Sequence, residues 1–279
     1  MKYCDLHTHS YFSDGTLSPT ELVNKACEIG LKAIALCDHN TVSGIYEFKR
    51  AGEDKDIETV CGIEFSTDYK GIELHMLMLF VTDENIERVN KYVSEIQDRK
   101  EKSNIELIKA LNENGYEICY DEVKSAADNG YVNRANIASV LMKKGYISSI
   151  KDGFKTILSK EYGLYKPPVH KDVFEVIRFI KSIGGVAVLA HPFLSMQESD
   201  ILEFLPKAKA CGLDGMETMY SKYDGETTKR AKELAVQFSL LESGGSDFHG
   251  DNKPDIKLGT GKGDLMVPYK TLESLSALT

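Results

Sequence analysis

Short apolar segments alternate with amphipathic ones along most of this chain. Strand-like runs are read at 2–6, 33–37, 59–66, 72–81, 186–190, 215–218 and 240–243, with helical periodicity between most of them. That alternation predicts an α/β architecture. The first helix is the best marked. Ser18 stands as N-cap, Pro19 at the first helical position and Glu21 two positions on, a capping box. Leu22, Ala26 and Ile29 then recur at helical spacing and Gly30 supplies the stop. Another helix is read over 172–183, ended by Gly184-Gly185, and Lys70-Gly71 is expected to turn one strand into the next.

The middle of the chain breaks this rhythm. From about 85 to 166 only helical periodicity appears: Ile86, Val89, Val93 and Ile96 lead into Ile105, Ile108 and Leu111, stopped by Gly115. A further helix carries Ile137, Val140 and Leu141 and ends at Gly145. The reading is a barrel-like scaffold built from 1–96 and 167–279, with a helical subdomain inserted at 97–166. A length of 279 residues suits one such unit with a small insertion.

Composition narrows the partners. A net charge of −9 argues against broad adhesion to nucleic acid or anionic lipid, but leaves room for a small anion in a locally cationic pocket. The six cysteines form no C-x-x-C pair, which fits reduced thiols and a cytoplasmic location. No apolar stretch precedes His7, so no signal peptide is read, and the longest apolar run, 76–81, is too short for a membrane span.

Candidate chemistry lies at the strand ends. His7-Thr8-His9 follows the first strand with Asp14 beyond it, and Asp38-His39 ends the second. Glu64 is near the end of the third, His75 is in the fourth, His191-Pro192 ends the fifth and Asp247-Phe248-His249 follows the last. Strand side chains alternate, so both imidazoles of an H-x-H point to one face. In a parallel barrel, C-terminal strand ends meet on one rim. One histidine at a strand end is usually a hydrogen-bonded core residue; six of the seven here point instead to metal binding. Imidazole with carboxylate suits zinc, manganese or iron. Other features read as structural. Gly259-Thr260-Gly261-Lys262-Gly263 lacks the spacing of a phosphate loop and is expected to be a turn, and Cys37 is expected to pack in the core.

The string Asp5-Leu6-His7-Thr8-His9-Ser10…Ser13-Asp14-Gly15 resembles the first motif of the PHP (polymerase and histidinol phosphatase) superfamily. Asp38-His39, Glu64, His75, His191-Pro192 and Ser246-Asp247-Phe248-His249-Gly250 resemble its later motifs in order. The resemblance implies a distorted (β/α)7 TIM-like barrel holding three divalent metal ions (Mn, Zn or Fe) in its mouth. It implies His7, His9, Glu64 and Asp247 on the first metal, a bridging Glu64 with His75 and His191 on the second, and Asp14, His39 and His249 on the third. The implied activity is hydrolysis of phosphate monoesters by a metal-bound hydroxide. Asn133-Arg134-Ala135-Asn136-Ile137-Ala138 and Tyr165-Lys166-Pro167-Pro168-Val169-His170 resemble the branch acting on 3′,5′-nucleoside bisphosphates or the 5′ ends of short RNA, although Ala135-Asn136 replaces that branch's Pro-His. Arg134, Lys166 and His170 are the candidate substrate contacts, and Asp38 is expected to support a ligand histidine from behind. The partner expected is thus a small phosphate substrate or a short oligonucleotide. A histidinol-phosphate-type phosphatase, a C–N hydrolase and a non-catalytic metal-binding module are the rival readings.

Overall fold

The computed structural model describes residues 2–127 and 132–279. Each of the seven apolar runs becomes a strand within a few residues of its expected ends: β1 (Tyr3–Thr8), β2 (Ala33–Leu36), β3 (Glu58–Tyr69), β4 (Ile72–Leu79), then, after the two-residue β5 (Lys171–Asp172), β6 (Val186–Leu189), β7 (Gly215–Tyr220) and β8 (Leu241–Gly245). A last two-residue strand, β9 (Val267–Pro268), pairs antiparallel with β1. The order across the sheet is β8-β7-β6-β4-β3-β2-β1-β9, with β5 beside β3.

Most neighbours are parallel, but β4 runs antiparallel to both β3 and β6. The reason is local. Lys70 and Gly71 have φ of 54° and 81°, the paired left-handed conformation of a tight hairpin turn. That turn fixes a register in which Ser66 faces His75. At the far edge, Asp247 N donates to His7 O (2.8 Å) and His9 N to Phe248 O (3.0 Å). These bonds bring the chain beyond β8 back against β1. The sheet is therefore a nearly closed barrel, distorted where β4 runs against its two neighbours.

Ten α-helices form among the described residues: α1 (Pro19–Glu28), α2 (Ile45–Gly52), α3 (Ile86–Glu113), α4 (Tyr120–Ser125), α5 (Arg134–Lys143), α6 (Ile150–Lys155), α7 (Val173–Ser182), α8 (Glu198–Ala210), α9 (Gly225–Gln237) and α10 (Tyr269–Ser276). The capping box on α1 is present: Ser18 Oγ accepts from Glu21 N, and Glu21 accepts from Ser18 N. Inward residues such as Leu6, Ala35, Cys37, Leu77 and Val188 fill the core. Each large one contributes roughly 1.5–3 kcal/mol by leaving water.

The chain divides into two compact units, 1–90 with 170–279, and 91–169. The second is helical, packed around Leu107, Leu111, Ile137, Leu141 and Leu158. Ile105, read as a core position, is 49% exposed. The buried stripe of α3 runs instead through Ser103 and Asn104, where Asn104 Nδ2 donates to Val132 O. Among the described residues no helix is long and apolar enough to cross a membrane.

Candidate metal centre

Six elements of the barrel unit deliver the site. His7 lies in β1 and His9 just beyond it, two residues on and so on the same face. His39 follows β2, Glu64 is in β3, His75 is in β4, His191 follows β6, and Asp247 and His249 follow β8. Because β4 is reversed, its early part reaches the rim where the parallel strands end. Strain gathers here. Asn40, His191 and Asp247 have φ of 52°, 29° and 56°, half of the six non-glycine residues with positive φ among those described. Such residues cost of order 1–3 kcal/mol each and persist where surrounding structure aims a side chain.

Glu64 is the hub. Its Oε2 lies 3.0 Å from His39 Nδ1, 3.2 Å from His7 Nε2 and 3.3 Å from His9 Nε2. Its Oε1 lies 2.8 Å from His75 Nδ1 and 3.1 Å from His191 Nε2. Asp247 Oδ1 sits 3.2 Å from His9 Nε2 and 3.4 Å from His249 Nδ1, and Asp14 Oδ1 is 3.2 Å from His249 Nε2. Most of these close approaches are not hydrogen bonds. His7 Nε2, both nitrogens of His9, His39 Nδ1, His75 Nδ1, His249 Nε2 and Glu64 Oε2 are buried with no hydrogen-bond partner. Buried polar atoms are normally paired. Donor atoms about 2.1 Å from a shared cation stand roughly 3 Å from one another, so lone pairs converging at this spacing suit metal ions. Four groups of such atoms occur among the described residues: His9 with Asp14, His39 and His249; His7 with His9 and Glu64; His39 with Glu64 and His75; and His7 with His191 and Glu217.

The electrostatics agree. Burial works to raise the Glu64 pKa, yet His39, His7 and His75 hold it well below the ordinary range. Burial, then the neighbouring His249 and His39, keeps His9 far below its usual value, and burial lowers His39 to about 4. Against burial, Glu64 lifts His75 to about 10, and Glu64 and Glu217 lift His7 well above normal. Buried carboxylates here demand positive charge. Without a metal, protons on some imidazoles supply it.

Behind these groups lies a supporting layer. Glu217, fully buried in β7, accepts from His7 Nδ1 (2.9 Å) through Oε1 and from His191 N (2.8 Å) through Oε2. With a carboxylate on Nδ1, His7 must turn the lone pair of Nε2 toward the cluster. Asp5 accepts from Ser246 N, Ser246 Oγ and Gly259 N, tying the β8 end to β1. This gives Gly259 its role as part of a turn, with Lys257 N and O bonded to Gly261. Asp38 accepts from Ser10 N, Ser10 Oγ and Ser13 Oγ, so it fixes the loop that carries Asp14 rather than an imidazole. Tyr220 OH (2.7 Å) and Lys253 Nζ (2.8 Å) both donate to Asp247 Oδ2. Sequence reasoning missed Glu217, Asp5, Tyr220 and Lys253. Its one usable signal was the charge of Glu217 set inside the apolar run 215–220.

The expected substrate residues fall in two places. His170 joins the barrel unit: Glu73 Oε1 lies 3.5 Å from both His170 Nε2 and His75 Nε2. Arg134 and Lys166 belong to the helical unit. The Arg134 guanidinium stacks 4.0 Å from the Tyr165 ring centre and 5.1 Å from that of Phe154, while the Lys166 carbonyl accepts from Ser103 Oγ. Asn133 caps α5 and pairs reciprocally with Asn136, so the string around Arg134 opens a helix.

The PHP domain model matches residues 5–164. The chain is 35% identical over 253 residues to a 5′-3′ exoribonuclease of Haemophilus influenzae, covering 89% of this chain and 90% of that one. It is 29% identical to a phosphoribosyl 1,2-cyclic phosphate 1,2-diphosphodiesterase of Eggerthella lenta (88% and 94% covered). It is 26% identical to a 3′,5′-nucleoside bisphosphate phosphatase of Chromobacterium violaceum (92% and 91%). A crystal structure from Bifidobacterium adolescentis, described as that of a candidate metal-dependent phosphoesterase, superposes with a TM-score of 0.87 at 26% identity, covering 99% of this chain and 96% of the other.

Proposed function

The chain belongs to the PHP family and is a metal-dependent phosphoesterase, a hydrolase; from that premise we propose that it releases phosphate from ribose-borne esters, namely 3′,5′-nucleoside bisphosphates or the 5′ ends of short oligoribonucleotides, at a three-metal site. The observation that carries this reading is the set of buried, unpartnered imidazole nitrogens around Glu64. The named relatives add substrate chemistry, since one acts on RNA and another on nucleoside bisphosphates.

In this reading His7, His9, Glu64 and Asp247 hold one divalent ion, Glu64 with His75 and His191 a second, and Asp14, His39 and His249 a third, drawn from manganese, zinc and iron. When bound, such ions supply a water acidified to a pKa of about 7 and positive charge for the phosphoryl oxygens. The chain's own residues do the rest. Glu217 fixes the tautomer of His7. Tyr220 and Lys253 engage one oxygen of Asp247 so that the other faces the cluster. His170, beside Glu73, is the candidate to contact substrate or to give a proton to the departing ribose oxygen. Arg134, whose guanidinium lies over the Tyr165 and Phe154 rings, and Lys166 are the candidate cations of the helical unit for a phosphate.

The test is phosphate release from adenosine 3′,5′-bisphosphate, a 5′-phosphorylated oligoribonucleotide and histidinol phosphate, with manganese or zinc and with a chelator. The first two should turn over fastest, and the chelator should abolish release. Equal rates on all three would remove the nucleotide preference. Metal binding without any turnover would leave a binding module.

A further inference from the structure

The phosphoesterase reading, on which this inference rests, puts His75 on an ion and His170 on the substrate side, and leaves without a role the carboxylate between them. Glu73 stands two residues before His75 in β4, and so on the same face of the sheet. Its Oε1 lies 3.5 Å from His75 Nε2 and 3.5 Å from His170 Nε2. Strand pairing brings the three together. On one side of β3, Ser66 faces His75 and Asp68 faces Glu73. On the other side, Thr67 and Asp68 pair with Lys171 and Asp172, so the short β5 delivers His170, the residue before it, to the same stretch. The two other carboxylates of this row accept from backbone. Asp68 Oδ1 takes Gly71 N (3.2 Å), and Asp172 Oδ1 takes Phe174 N (3.0 Å) and Glu175 N (3.1 Å) at the start of α7. Of the three, Glu73 is the one directed at imidazoles.

We propose that Glu73 is a positioning residue serving both halves of the site: through Oε1 it fixes the tautomer of His75 and seats the imidazole of His170 beside the metal centre. The first half follows from which nitrogen faces where. His75 Nδ1 lies 2.8 Å from Glu64 Oε1 and is buried with no hydrogen-bond partner, so it is the nitrogen offered to an ion. A ligating nitrogen keeps its lone pair. The ring proton then sits on Nε2, where Glu73 accepts it. The second half follows from the place of His170 in the chain. It precedes β5 rather than lying within a strand, so backbone pairing does not aim its ring. The carboxylate 3.5 Å from its Nε2 does, and turns that nitrogen toward His75. Because one oxygen serves both rings, the seat of His170 depends on the same group that sets His75.

E73A separates this role from that of an ordinary half-exposed strand residue. Manganese binding to E73A, read by calorimetry, should weaken by about 10–100-fold, whereas H170A should bind manganese as wild type does. At saturating manganese, kcat for adenosine 3′,5′-bisphosphate should fall by similar factors in E73A and H170A, about tenfold or more in each. The double variant E73A/H170A should then be no slower than H170A, because Glu73 acts on turnover through His170. A manganese affinity of E73A within about twofold of wild type, or losses in kcat that multiply in the double variant, overturns the shared role. If wild type releases no phosphate from any substrate, the phosphoesterase reading fails instead, and the manganese titration still decides whether Glu73 anchors His75.

Discussion

Glu217 offers the sharpest test of how the centre is supported. Its two oxygens accept from two different donors, His7 Nδ1 and the backbone N of His191, and it is fully buried. Replacement by glutamine keeps the volume but leaves one acceptor oxygen for two donors. Either His7 Nδ1 or His191 N then meets an NH2 group, donor against donor. A hydrogen bond to a buried charged group contributes about 1.5–3 kcal/mol. Lost from the side of His7, that amounts to a factor of roughly 10–150 in metal affinity, in line with the 10–100-fold typical of groups that orient metal ligands. The assay is metal titration of E217Q by calorimetry, alongside phosphate release as a function of manganese concentration. The half-saturating metal concentration should rise by that factor while kcat at saturating metal stays close to normal, because the proposed assignment uses Glu217 as a support for His7 and His191 rather than as a ligand. A metal affinity within about twofold of wild type would refute the reasoning, as would a kcat that excess metal fails to restore.

Three further outcomes follow from the same geometry. H9A removes a nitrogen facing both Glu64 and Asp247, so phosphate release should fall by about 100-fold or more; near-normal turnover would count heavily against the centre. Chelation should lower the thermal midpoint. With free metal at about 1,000 times its Kd, binding contributes about 4 kcal/mol, or near 7 °C for a chain of this length; calorimetry that finds no shift contradicts metal binding by the native state. G245A introduces a methyl that would sit 2.4 Å from His7 Cβ and 2.5 Å from His7 N. Overpacking of this kind costs about 1–3 kcal/mol or more, and an unchanged midpoint would speak against the approach of β8 to β1.

Much of the fold was legible because its strands are short apolar runs punctuated by turn residues, and because α1 carries its own start and stop. The metal-facing residues were legible for a different reason: rare residue types recur at strand ends, and that position has one geometric meaning in a barrel. What stayed hidden depends on partners distant along the chain. Glu217 reads as an oddity until His7 and the His191 amide are found against it. Lys253 reads as a loop lysine until the chain after β8 folds back on Asp247. Asp38 was expected behind an imidazole, yet Ser10 and Ser13 claim its oxygens. The phase of α3 was misread at Ile105 because the true buried stripe passes through Ser103 and Asn104, polar residues whose side chains bond to neighbouring carbonyls. Two-residue strands such as β5 and β9 are too short for any periodicity.

The hairpin at Lys70 and Gly71 carries an implication for how this sequence can drift. Exposed loops ordinarily absorb insertions with little penalty. Here a single added or deleted residue would slip β4 by one place and exchange its faces, sending the imidazole of His75 outward and the isobutyl group of Leu74 toward the mouth. A solvent-exposed bend, itself free of any reacting group, should therefore hold its length among functioning descendants of this chain, while neighbouring bends vary.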